Sequence, residues 1–186
     1  MRELVKTKES LAYHGARLLL VIARCGKPRK SPARTLPGIV GRTLLAKLDF
    51  FVRYPSYLKK AAEILNRKGL TANLQATALK EMESVESRMV RYRYGPWDHV
   101  YYPALAYLLG KRLIEIQEAP GVEVFRLTAQ GVRLADELAS NDDFRDLAER
   151  AEAAYHLFNK YSGNRLKDFI YAYFPEVVNH KIGEKI

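Results

Sequence analysis

Cysteine is almost missing from this chain: Cys25 stands alone among 186 residues. One thiol cannot close an internal disulfide, and with no CxxC and no clustered Cys/His there is no ligand set for a structural zinc. A reducing compartment follows as the expectation. Long apolar runs are missing too. The run Leu18–Ala23 falls far short of the ~20 residues that span a bilayer, and no signal-peptide pattern surrounds it. The chain is therefore expected to be cytoplasmic, with no membrane partner. Catalytic signatures are the third absence: no GxxxxGKS/T loop, no GxGxxG after a strand, no HExxH, no GxSxG. His14, His99, His156 and His180 are scattered without metal-ligand spacing, and each reads as a surface or hydrogen-bonded structural residue. Cys25 reads as a buried, inert thiol. The expectation is a protein that is not an enzyme and that carries no cofactor and no metal.

Acidic residues are scarce in one part only. Through Lys68 there are 16 Lys/Arg against 4 Asp/Glu, a balance of +12, and beyond it 15 against 17, a balance of −2. A polyanionic partner would thus meet the first third of the chain. The candidate contacts are Lys27, Arg29, Lys30, Arg34 and Arg42. Lys27 to Pro37 holds three prolines and reads as an extended basic connection, either a phosphate-contacting arm or a solvated loop.

Nearly half of the residues are hydrophobic, with 48% in that class, which is enough for one substantial core. Thr7 or Ser10 can open a first helix with Leu11, Leu18, Leu19 and Ile22 near one face, closed by Gly26. From Gly38 a helical pattern runs through Val40, Leu44, Leu45, Leu48, Phe51 and Val52. On its polar side Asp49 precedes Arg53 by one turn, a pair worth a few tenths of a kcal/mol on a solvated helix. Tyr54-Pro55 breaks this helix and Ser56 can cap the next. A further helix is expected over 70–84.

Arg88 to Tyr94 alternates as a half-buried strand stopped by Gly95-Pro96. Asp98, or Pro103 as a first helical residue, opens a helix with Tyr101, Leu105, Leu108 and Leu109 inward, ended by Gly110. Leu113–Gln117 and Val122–Leu127 form a hairpin across Glu118-Ala-Pro-Gly121, and Thr128 caps the next helix. Two more helices start at Ser140-Asn-Asp-Asp143 and after Gly163. The fold class is mainly α with a small β-hairpin or sheet: a winged-helix core over 70–139, a basic helical region over 1–69, and a C-terminal helical extension over 140–186, together one compact unit.

A winged helix that reads DNA places the helix before its hairpin in the major groove. Here that helix carries neither Lys nor Arg, and the hairpin sets Glu115, Glu118 and Glu123 against Arg126 alone. Charge of that sign disfavours phosphate. Tyr92, Tyr94, Trp97, Tyr101 and Tyr102 crowd into one span instead, and Tyr and Trp are common interface anchors. Core packing suits Trp97 and Tyr101, whereas Arg91 and Arg93 are expected as exposed contacts. The candidate protein-docking set is Arg91, Tyr92, Arg93, Tyr94, Trp97 and Tyr102.

Three stretches carry a resemblance: Lys47-Leu-Asp-Phe-Phe-Val-Arg-Tyr-Pro55; Val85-Glu-Ser-Arg-Met-Val-Arg-Tyr-Arg-Tyr-Gly-Pro-Trp-Asp98; and Gly163-Asn-Arg-Leu-Lys-Asp-Phe-Ile-Tyr-Ala-Tyr-Phe-Pro-Glu-Val177 with Ile182-Gly-Glu184. Together they resemble the middle component of bacterial ABC-three-component systems, which include the Lamassu anti-phage systems. The resemblance implies a non-catalytic adaptor that bridges an SMC-like ATPase subunit and an effector nuclease subunit, with DNA reachable through the basic N-terminal third. The alternative expectation is a winged-helix DNA-binding transcriptional regulator.

Overall fold

The computed structural model describes residues 10–28, 36–70, 89–119 and 121–186. Among them the chain is mainly helical with a small antiparallel sheet. Helix α1 (Leu11–Cys25) begins where the Ser10 hydroxyl accepts from the Tyr13 amide at 3.1 Å and ends where the Gly26 amide returns to the Ile22 carbonyl. Sequence spacing assigns it one apolar face. In the structure Leu18 through Ile22 are all fully buried and Leu11 is exposed, because α1 is surrounded rather than laid on a surface.

Strand β1 (Lys27–Pro28) pairs with β2 (Pro37–Val40), so the helix expected from Gly38 starts later, as α2 (Arg42–Arg53). Val40 belongs to the strand and is exposed. Tyr54 breaks the chain, and α3 (Pro55–Ile64) opens on Pro55 itself, not under a Ser56 cap. Strands β3 (Val90–Tyr92) and β4 (Gly95–Trp97) make a short hairpin, followed by α4 (Tyr101–Gly110). Gly95-Pro96 is thus the start of a return strand rather than a stop, with Gly95 at φ +103°, a value that favours glycine.

Strands β5 (Ile114–Ala119) and β6 (Val122–Leu127) form the second hairpin, in the register Ile114↔Leu127. Strand β2 adds to β6 with Ile39 opposite Phe125, giving the order β1-β2-β6-β5. Helices α5 (Ala129–Ser140), α6 (Asp142–Phe158), α7 (Gly163–Tyr173) and α8 (Pro175–Val178) follow. Thr128, Asn141 and Ser162 each accept a backbone N–H of the first turn, which is why the starts of α5, α6 and α7 show in the sequence. One hydrophobic core joins residues from α1 to α8, with Phe51 against Phe158 at 4.6 Å between ring centroids. The helix expected over 70–84 lies outside the described residues from 71 on. Among the described residues no helix is long and apolar enough to cross a membrane.

Candidate docking surface

The site grows from a buried polar knot beneath it. Arg17 and Asp49 are fully buried and joined at 2.8 Å through Nε and Oδ1, with a second contact between Nη2 and Oδ2 at 3.3 Å. Tyr101 donates its hydroxyl to Asp49 Oδ2 at 2.8 Å. Arg53 lies 3.9 Å from Asp49 and donates to Asp98 Oδ2 at 2.6 Å. The Asp49–Arg53 pair is therefore not on a solvated helix face. It is interior, and it ties α1, α2 and the start of α4 together.

The electrostatics follow from that burial. Arg17 Nη1 lies 2.9 Å from His14 Nδ1, which makes that ring nitrogen an acceptor and the imidazole neutral. Burial, reinforced by the Arg17 charge, holds His14 below the usual histidine range. Burial first, and the Asp49 carboxylate second, push the Tyr101 phenol well above its ordinary value. Burial works against the Arg53 charge, but Asp49, Tyr101 and Asp98 outweigh it and keep the guanidinium protonated.

Asp98 carries this order to the surface. Its second oxygen accepts from the Val100 amide at 2.9 Å and fixes the turn before α4, but Asp98 is not the N-cap expected of it: the helix begins at Tyr101, with Val100 in the cap position and no side-chain cap. Trp97 packs edge-on against Tyr101 at 5.1 Å and Tyr102 at 5.9 Å, and Tyr92 covers Trp97 at 6.0 Å and His99 at 6.4 Å. On the other side Arg42 sits 5.5 Å over the Tyr102 ring. The result is a continuous aromatic strip, with Tyr92 43% and Tyr102 55% exposed. Along α4 the outward residues are Tyr102, Pro103, Ala106 and Gly110, none of them charged.

Of the docking candidates, Tyr92, Trp97 and Tyr102 come together in this strip. Tyr94 is exposed at the β3–β4 turn, with the exposed Arg93 over its ring at 6.0 Å. Arg91 departs from expectation. It is half-buried, donates from Nε to the Val178 carbonyl at 3.2 Å and from Nη1 to the Tyr92 carbonyl, and lies over the Tyr171 ring. It holds the hairpin to the C-terminal segment. Among the polyanion candidates, Lys27 is exposed on β1, and Arg42 is half-exposed and pairs with Glu123 at 2.7 Å. Arg29, Lys30 and Arg34 lie outside the described residues. The hairpin cation Arg126 is buried, bonded to Gln117 and the Leu36 carbonyl.

Sequence reasoning missed Arg17 and Lys47 as interior polar groups, and left His14 open between a surface and a hydrogen-bonded structural residue, of which the structure shows the second. Lys47 is 2% exposed and its ammonium has no carboxylate partner among the described residues; burial, with Lys167 nearby, lowers it to about 8. Cys25 is buried as expected, donating to the Ala151 carbonyl at 3.2 Å, and burial pushes its thiol up to about 12. It also lines an apolar cavity of about 310 Å³ between β2 and α6, floored by Leu44, Leu48 and Phe158. No group of three or more metal-ligating side chains occurs among the described residues.

The three stretches that carry the resemblance meet here. Lys47 of the first lies beside Gly95 of the second, its Cε 3.7 Å from where a Cβ would sit, Tyr171 of the third donates to the Arg93 carbonyl at 3.3 Å, and the Arg91 amide donates to the Glu184 carbonyl at 2.7 Å. Comparison of the chain with protein-family models, with curated proteins and with solved structures finds no match.

Proposed function

We propose that this chain is a non-catalytic adaptor that docks a protein partner through the strip formed by β3–β4 and the outward face of α4. The single observation that carries it is this face itself: exposed Tyr92, Tyr94 and Tyr102, braced from below by a buried ion-pair network and free of charge along α4. Rigid aromatic side chains lose little entropy on binding and supply large contact area. The order α1, β2, α2, α4, β5, β6 with β6 between β2 and β5 supports a winged-helix reading of this core. In that reading α4 occupies the place of the recognition helix. A recognition helix without Lys or Arg lacks the cationic donors that most often read guanine edges and hold phosphates.

The meeting of the three resembling stretches around one hairpin supports the further reading of a middle component of an ABC-three-component system. There the adaptor holds an SMC-like ATPase and an effector nuclease together. Co-expression with the products of the neighbouring genes, followed by size exclusion, tests this. The expected result is co-elution with an ATPase, lost in the Tyr92→Ala/Tyr102→Ala variant while the variant's melting temperature stays near the parent's. A well-folded chain that co-elutes with neither neighbour, or that binds duplex DNA with sequence preference, overturns the reading.

A further inference from the structure

The aromatic strip is uncharged in its middle but not at its ends. At one end Arg93 is exposed at the β3–β4 turn. At the other, Lys111 and Arg112 are exposed at the close of α4. Arg93, Lys111 and Arg112 pair with no carboxylate among the described residues, in contrast to Arg42 at the side, which Glu123 satisfies. Helix α4 has ten residues, so about 15 Å of helix lies between its first turn, where Tyr102 stands, and the Lys111/Arg112 pair at its close.

Arg112 is also unusual in its backbone. Helix α4 closes with the Leu113 amide on the Leu108 carbonyl and with Arg112 at φ +56°, the left-handed position that glycine fills in most such helix ends. An arginine there costs the fold something that glycine would not. Gly110 stands two residues earlier and does not take the position.

We propose that the partner segment seated on this strip is an acidic, apolar-centred peptide: aliphatic or aromatic side chains against Tyr92, Trp97, Tyr102 and Ala106, with carboxylates at its two ends meeting Arg93 and the Lys111/Arg112 pair. This rests on the docking reading above and names the chemistry of its partner. A nucleic-acid strand would need cations along its whole path. Among the described residues of the strip the cations stand at the ends, the middle is neutral, and the exposed Glu118 of the β5–β6 hairpin repels phosphate.

The test uses the full chain against tiled peptides that cover the proteins encoded beside it, with a dT15 oligonucleotide as a separate probe. Bound peptides are expected to be acidic at both ends of an apolar centre, and to bind more weakly as salt rises. Arg93→Glu together with Lys111→Glu should weaken them by about tenfold or more. Arg112→Gly is the decisive variant, since it relieves the backbone and should melt higher while binding more weakly. Bound peptides that are basic or neutral, peptide affinity unmoved by the charge reversals, or dT15 binding through the same residues would overturn the proposal. An array without binders, alongside intact co-elution of the full proteins, would overturn the acidic-segment proposal and leave the adaptor reading standing. Loss of co-elution as well would remove both.

Discussion

At the scale of single residues, the interior is more charged than its spacing suggests. Asp49 falls on the side of α2 that a helical wheel assigns to solvent, and the i, i+4 step to Arg53 reads as a surface pair. Nothing local in the sequence says that α1 will bring Arg17 against it, because that contact spans 32 positions. Asp49→Ala leaves Arg17 buried without its counter-charge and should cost about 3–5 kcal/mol in urea unfolding. Replacing both, as Arg17→Met/Asp49→Leu, should cost distinctly less than Asp49→Ala alone. Lys47 behaves in the opposite sense, as a buried ammonium without a carboxylate among the described residues. Its ordinary value is 10.5 and the folded value about 8. Between these limits the unfolded chain holds a proton that the folded chain has shed, so stability rises with pH across that window. Below about 8 both states are protonated and the folded state bears the full penalty. Lys47→Met should flatten this slope and raise stability at neutral pH by about 1–3 kcal/mol, as pH-dependent melting would show.

At the scale of elements, punctuation was the legible part. Ser10 and Thr128 announce helix starts because a short side-chain oxygen there satisfies an otherwise orphaned amide, and the Pro-Gly turn announces the β5–β6 hairpin. What misled was periodicity in short segments. Pro37 to Val40 is too short to separate from the helix that follows, and its strand character comes from β6, far along the chain, through the Ile39–Phe125 pairing. Gly110 does end α4 as its composition suggests, although the left-handed residue of that end is Arg112. Gly131 shows the reverse case, a glycine whose need is tertiary. A Cβ there would lie 2.0 Å from the Leu113 carbonyl oxygen, in a place where α5 turns off Thr128 directly against the start of β5. Gly131→Ala must push backbone apart, and a loss of about 2–3 kcal/mol is expected in thermal or urea unfolding.

At the scale of the whole molecule, the docking strip depends on parts of the chain that are remote in sequence. A two-stranded hairpin as short as β3–β4 is marginal by itself. Here the C-terminal segment lies along β3: the Gly183 amide donates to the Arg91 carbonyl at 2.7 Å, the Ile186 amide to the Met89 carbonyl at 2.8 Å, and the Arg91 amide to the Glu184 carbonyl. Tyr171 and Arg91 clamp the other side, between the hairpin and α7. The residues that present Tyr92 and Tyr94 are therefore held by the last turn of the chain, while the α1 core is held by its own burial. Removal of residues 183–186 should uncouple the two. Hydrogen exchange at the Arg91 amide is expected to speed up by about one to two orders of magnitude, with amides in the buried middle of α1 unchanged. Partner affinity should fall with it, because an unbraced hairpin must be ordered again on binding. If the truncated chain exchanges at Arg91 as slowly as the parent, the hairpin is self-supporting and the C-terminal segment does not brace it.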